Sequence, residues 1–129
     1  MRWLASATLV IAGVIHLMPL PGVLGAERLA ALYGVAFDDP NLSILMRHRA
    51  VLFGMLGAFL LVAAFRPGLQ VVAVVVGLVS VLSFLYLAWS EGGYNVRVGR
   101  VLFADVVALV CLLICAAALW YLRRRAATT

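Results

Sequence analysis

Five ionisable side chains lie within or at the ends of strongly apolar stretches of the sequence: His16, Arg47, His48, Glu91 and Asp105. Histidines and carboxylates can transfer protons, and a guanidinium can bind an anion or stabilise an oxyanion. Ionisable groups next to lipid tails are costly, so each needs a headgroup, a water-filled cavity or a counter-charge. What these residues can do therefore depends on whether the surrounding elements bring them together.

The composition is that of a membrane protein. Of the 129 residues, 67% are hydrophobic and only 12% are charged, which leaves too little polar surface to cover a water-soluble domain. The apolar runs predict one all-α domain over residues 1–129, an integral membrane bundle of four antiparallel transmembrane helices, each of the ~20 residues that cross a bilayer. The predicted spans are about 3–20, 44–65, 69–90 and 99–122, with an amphipathic interfacial segment at about 26–33.

Four antiparallel spans place both termini and the Arg66 turn on one side of the membrane, here called the first side. The long loop after the first span and the Gly92-Gly93 turn lie on the second side. Trp and Tyr favour membrane interfaces, and the predicted interfacial anchors are Trp3, Trp120 and Tyr121 on the first side and Trp89 on the second. Each side carries five arginines, so the charge count alone leaves the orientation open. The first side carries Arg123–Arg125, a cluster of adjacent arginines, and this cluster favours a cytoplasmic location for the first side.

Two arginines near the start of the second span are expected to have different roles. Arg47 shares a helical stripe with Gly54 and other small residues, and such stripes pack against neighbouring helices, so we expect Arg47 to point into the bundle. Arg49 is about 160° away around the same helix. Its long side chain is expected to extend to lipid headgroups as a further interfacial anchor.

The predicted threading brings the five ionisable residues to the same half of the bundle although they come from all four spans. One interpretation is a ligand-binding pocket that opens to the second side, with Arg47 and Asp105 holding a polar head. The alternative is structural. Arg47 and Asp105 would form an ion pair between helices, and His16 would donate a hydrogen bond that satisfies the pair. His48 would lie at the membrane interface. The residues alone leave both open, and they predict no catalytic residue.

Several other functions are disfavoured. All ten basic residues are arginines at helix ends, which suits lipid phosphates rather than a nucleic-acid surface. No metal site is predicted, because the histidines and carboxylates lack the spacing of a recognised metal-binding motif. Cys111 and Cys115 do not form a Cys-x-x-Cys motif and are expected to pack as small buried side chains. Nucleotidyl transfer of the phosphopantetheine adenylyltransferase type is excluded, since its His-x-Gly-His motif on a soluble α/β sheet is absent.

The chain resembles small bacterial DoxX-like membrane proteins. The resemblance rests on four short helices, on the connection with Leu32-Tyr33-Gly34 and Asp39-Pro40, and on Arg49 followed by Gly54 and Gly57. It implies a multi-pass protein of the bacterial cytoplasmic membrane, and the arginine cluster described above favours cytoplasmic termini. The family name is associated with a quinone-linked thiosulfate oxidation system, but the resemblance transfers no catalytic residue and identifies no cofactor.

Three functions follow as hypotheses. The favoured one is non-enzymatic: a binder of a lipidic or other apolar small molecule, or a subunit of a membrane complex. The second is a membrane oxidoreductase acting on a quinone-like substrate, in which His16 transfers protons and Arg47 stabilises an oxyanion. The third is a small proton-coupled exporter that depends on Asp105. Small-residue pairs such as Gly54/Ala58, Ala73/Gly77 and Ala104/Ala108 also offer surfaces for a homo-oligomer.

Overall fold

The computed structural model describes residues 1–128, and these are all-α. Five helices occur in the order α1 (Arg2–Leu17), α2 (Ala26–Tyr33), α3 (Pro40–Ala64), α4 (Gln70–Glu91) and α5 (Val96–Ala127), with short 3₁₀ turns at Leu20–Leu24 and Pro67–Leu69. Four segments are long and apolar enough to cross a membrane: α1 with its 3₁₀ turn, α3, α4 with its preceding turn, and α5. The predicted fold class, a four-helix transmembrane bundle, is confirmed.

Local sequence signals set where the helices begin and end. Asp39 caps α3 by accepting a hydrogen bond from the Asn41 backbone N–H at 2.8 Å, and Pro40 occupies the first helical position, where its missing N–H costs nothing. Asn95 caps α5 in the same way through the Val98 N–H at 2.9 Å. Gly34 ends α2 with φ of 68°, a left-handed conformation that glycine adopts without strain.

The four long helices form a ring in which α1 packs against α3 and α5, while α4 packs against α5 and α3. The backbones of α1 and α3 approach each other closely at Gly13 and Gly57: a Cβ atom on Gly57 would lie 2.8 Å from the Gly13 carbonyl oxygen. Because lipid tails are as apolar as the helices, such close backbone packing, rather than apolar burial, favours helix association in a bilayer. Of the small-residue pairs, Gly54, Ala73, Gly77 and Ala108 are buried within the chain, and Ala58 is exposed.

Large apolar side chains cover the outside of the bundle. On α4, Val72, Val75 and Val79 are each more than half exposed, a distribution expected of a surface that faces lipid. Three of the predicted anchors, Trp3, Trp89 and Trp120, lie exposed near helix ends, whereas Tyr121 is half-buried. The Arg124 guanidinium lies 4.0 Å from the Trp120 ring centroid, and that of Arg125 lies 4.9 Å from the Tyr121 ring centroid.

The short helix α2 covers the second-side end of the bundle. Its Leu29 and Tyr33, together with Phe37, form a small buried cluster against side chains of α3 and α5. The Asn95 side-chain amide donates to the Tyr33 carbonyl oxygen at 2.8 Å, which attaches the end of α2 to the beginning of α5. The space below α2 holds the charged residues described next.

Candidate functional site

A pocket of about 260 Å³ lies beneath α2, between the end of α1 and the second-side halves of α3 and α5. Its walls are mainly apolar and include Ile15, Met18 and Phe53. The polar groups that line it are the side chains of Tyr33, Arg49, Arg97, Arg100 and Asp105. An apolar cavity with a few convergent polar groups is the usual form of a small-molecule site.

Arg49 and Asp105 reach the pocket at the same depth. Each is the tenth residue of its helix, α3 for Arg49 and α5 for Asp105, and both helices begin at the second side. At 1.5 Å per residue each lies ~14 Å from the start of its helix. The shared depth of a guanidinium and a carboxylate follows from the register of two parallel helices.

Arg49 is held by aromatic groups and by a hydroxyl. Its Nη1 donates to the Tyr33 hydroxyl oxygen at 2.6 Å. Its guanidinium carbon lies 4.4 Å from the Phe53 ring centroid, 5.5 Å from that of Tyr33 and 5.8 Å from that of Phe84. Aromatic faces attract a cation and shield it from lipid, so this charge is stabilised without a direct carboxylate partner.

Asp105 is only 6% exposed, and the Arg49 charge attracts it. Within residues 1–128, Asp105 makes no direct ion pair and no side-chain hydrogen bond, and its carboxylate faces the pocket. A buried carboxylate without hydrogen-bond donors is energetically unfavourable. The position therefore favours water or a ligand between the two charged groups.

His16 lies behind the pocket wall rather than in it. The ring stacks on Phe53 with centroids 5.7 Å apart, and its Nδ1 lies 2.8 Å from the Ala12 carbonyl oxygen. Since a carbonyl only accepts, Nδ1 carries a proton, and Nε2 lies 3.3 Å from the Ser80 hydroxyl oxygen. Both ring nitrogens are thus satisfied inside the bundle, and Phe53 separates them from the cavity.

The predicted directions of the two arginines on α3 are wrong. Arg47 is exposed, and its Nε donates to the Val23 carbonyl oxygen at 2.9 Å, while Arg49 is the arginine that faces the interior. The small-residue stripe does pack inward, since Gly54 and Gly57 are buried. However, α1 ends at Leu17, so at the height of Arg47 the stripe meets the 3₁₀ turn instead of a helix.

These placements exclude the proposed Arg47–Asp105 ion pair and the role of Arg49 as a headgroup anchor. His48 and Glu91 are exposed and do not line the pocket. Of the five ionisable residues, the structure thus brings only Asp105 into the cavity and His16 close behind it. Arg47, His48 and Glu91 remain on the outer surface.

Sequence reasoning missed three polar residues of the pocket: Tyr33, Arg97 and Arg100. A signal for Arg97 exists, because Arg97, Val101 and Ala104 follow an i, i+4, i+7 pattern and share one face of α5 with Asp105. Arg97 Nη1 donates to the Ala31 carbonyl oxygen of α2. Arg100 makes no hydrogen bond or ion pair with any other described residue.

The chemistry of the pocket favours anions. Three guanidiniums and one carboxylate line it, and positive charges of this kind repel metal cations. In the described part of the chain, no three His, Cys, Asp or Glu side chains come together in a group that could hold a metal ion. No protein-family model, curated protein or solved structure matches the chain.

Proposed function

We propose that this membrane protein binds a lipid-like small molecule in the pocket beneath α2, with the molecule's polar head near Arg49 and Asp105 and its apolar part against Ile15 and Met18. One observation carries the proposal: a buried carboxylate and a guanidinium line the same cavity without pairing directly. A purely structural pair would gain most from direct contact. Space left between the two groups suits a bound molecule.

Binding is favoured over the quinone-linked oxidoreductase function. In that hypothesis His16 transfers the protons, which requires it to lie within hydrogen-bond reach of the reacting atom. His16 does not line the cavity, whereas Phe53, on which its ring stacks, does. The exporter function would require the carboxylate of Asp105 to be reached from both sides of the membrane. The pocket, however, is formed by the second-side end of the bundle, beneath α2.

We also propose that the protein is DoxX-like and lies in the bacterial cytoplasmic membrane with both termini in the cytoplasm. The support is the four-helix pattern, the Leu32-Tyr33-Gly34 connection and the Arg123–Arg125 cluster. In this orientation the pocket faces the outer leaflet.

The test is to identify what co-purifies with the protein. Wild type, extracted from its membrane in a mild uncharged detergent, is expected to retain a small apolar molecule that organic extraction and mass spectrometry detect. Ala104→Phe puts a ring into the pocket, because Ala104 lines it, and should remove that molecule. Ala117→Phe is the matched control on the exposed surface of the same helix. Equal content in wild type and Ala104→Phe, or no retained molecule in wild type, would contradict the proposal.

A further inference from the structure

We propose that the molecule bound in this pocket has an acidic head, a carboxylate or a phosphate, on an apolar chain, and that Arg97 and Arg100 select for it. This inference rests on the proposed function and adds the chemical class of the ligand. It follows from the balance of charge in the pocket, from the free donors that point to it and from its size.

The pocket has more positive charge than its own carboxylate can balance. Arg49 and Asp105 lie at one depth and attract each other, so their charges offset. Arg97 and Arg100 lie nearer the start of α5, one and four residues after Val96. Because no carboxylate lies with Arg97 and Arg100, the entrance of the pocket has a net positive charge, whereas the charges of Arg49 and Asp105 deeper in the pocket offset each other. Arg97 and Arg100 are themselves exposed, so they attract an anion at the membrane surface through their charge and through charged hydrogen bonds.

Hydrogen-bond donors for an oxyanion are available at the same place. A guanidinium has five N–H donors, and Arg97 uses one of its nitrogens on the Ala31 carbonyl oxygen. Arg100 uses none on any residue from 1 to 128. The Tyr33 hydroxyl accepts from Arg49 at 2.6 Å, which leaves its own proton free to donate into the cavity. Planar guanidiniums bind carboxylate and phosphate oxygens with paired hydrogen bonds.

The size of the cavity limits how much of the ligand it can hold. A volume of about 260 Å³ corresponds to about nine water molecules at ~30 Å³ each. A headgroup and a short length of chain fill that space, so a longer chain must leave it. Met18 lines the pocket and is 60% exposed, which places an exit towards lipid at the end of α1. The ligand is therefore an amphipathic acid whose tail continues into the bilayer.

The charge dependence is tested with two probes that have the same chain. Purified protein in an uncharged detergent is titrated with radiolabelled oleate and with oleyl alcohol. We expect saturable oleate binding and at least tenfold weaker binding of the alcohol, since each charged hydrogen bond contributes enough for about a tenfold change in affinity. Arg100→Gln should weaken oleate binding about tenfold and leave the alcohol unchanged, and Arg100→Lys should restore part of the loss.

Arg28→Gln is the matched control, because Arg28 is an exposed arginine of α2 that does not line the pocket. Thermal unfolding of each variant verifies that it is folded, and the Arg100 side chain makes no hydrogen bond or ion pair within residues 1–128 whose loss would destabilise the chain. Lysophosphatidic acid and inorganic phosphate are added as competitors. Competition by the lysolipid, but not by millimolar phosphate, supports a membrane-derived acid, whereas equal competition by phosphate would overturn the amphipathic part of the proposal.

The two proposals can fail separately. If oleyl alcohol binds as tightly as oleate and Arg100→Gln has no effect, the acidic head is wrong while binding of a lipid-like molecule stands. If neither probe binds and wild type retains no molecule after extraction, the proposed function fails as well. If Arg28→Gln weakens oleate binding as much as Arg100→Gln does, the effect comes from general surface charge. That result would overturn the proposal that oleate binds in the pocket.

Discussion

The hydrogen bond from Arg49 Nη1 to the Tyr33 hydroxyl, 2.6 Å long, joins the long helix α3 to the short helix α2 that covers the pocket. The half-buried Arg49 charge is thereby attached to the helix that covers the second-side end of the bundle. The same guanidinium attracts Asp105, which lines the same pocket. Arg49 consequently contributes both to the attachment of α2 over the pocket and to the charge within it.

Replacement of the Tyr33 hydroxyl is expected to loosen α2. Tyr33→Phe keeps the ring in its buried cluster but removes the acceptor for Arg49, and a hydrogen bond to a charged group contributes about 1–2 kcal/mol. Hydrogen exchange of the α2 amides should become faster while exchange in α1 stays unchanged. Tyr86→Phe, at an exposed tyrosine of α4, is the control, and unchanged exchange in Tyr33→Phe would show that the hydrogen bond does not hold α2.

The charges of Arg49 and Asp105 are expected to be coupled. Asp105→Asn leaves Arg49 without its counter-charge, and Arg49→Gln leaves a buried carboxylate alone, so each single variant should be less stable than wild type. The double variant should be more stable than the sum of the two losses predicts, with a coupling free energy of about 1 kcal/mol. The coupling free energy is measured by unfolding wild type, the two single variants and the double variant in mixed micelles. Strictly additive losses would mean that the two groups act independently.

The close contact between α1 and α3 at Gly57 predicts that one added methyl group lowers the stability of the bundle. A Cβ atom on Gly57 would lie 2.8 Å from the Gly13 carbonyl oxygen, so Gly57→Ala must push α1 and α3 apart and should destabilise the bundle by about 1–3 kcal/mol. Gly68→Ala is the control, since nothing lies within 4 Å of its Cβ position. Thermal unfolding of the two variants should differ clearly. Equal stability would contradict the packing of α1 on α3.

The proposed orientation can be tested with introduced cysteines. Gly68 lies in the turn between α3 and α4 and Ser90 near the end of α4, so Gly68→Cys and Ser90→Cys mark opposite sides. In intact spheroplasts, a membrane-impermeant maleimide should label Ser90→Cys and spare Gly68→Cys. The native Cys111 and Cys115 are buried and serve as the background. Labelling of Gly68→Cys alone would invert the proposed topology.

The sequence predicts the helices well because hydropathy and length decide them: four apolar runs, the Asp39-Pro40 start and the Gly34 end are all local properties. It predicts the direction of Arg47 incorrectly because a helical stripe indicates only the side of the helix. Which element meets that side at a given height depends on where α1 ends, after Leu17. The stripe containing Arg49, Phe53 and Leu60 is also packed, so α3 has two inward faces.

The pocket itself could be predicted only in part. Asp105 is conspicuous in any hydropathy profile, because a lone carboxylate in an apolar helix requires an explanation. Arg97 shares a face of α5 with Asp105 and could be inferred from that spacing. Tyr33 and Arg100 join them only because α2 folds back over the start of α5, held by Asn95 and Arg97. Such a contact between distant segments leaves no periodic signal in the sequence.

The most direct test is an experimental density map of the protein purified with its membrane lipids retained. We expect density for a bound molecule between Arg100 and Asp105, with an apolar chain that leaves the pocket past Met18. A closed, dry interior in which Arg49 pairs directly with Asp105 would contradict this expectation.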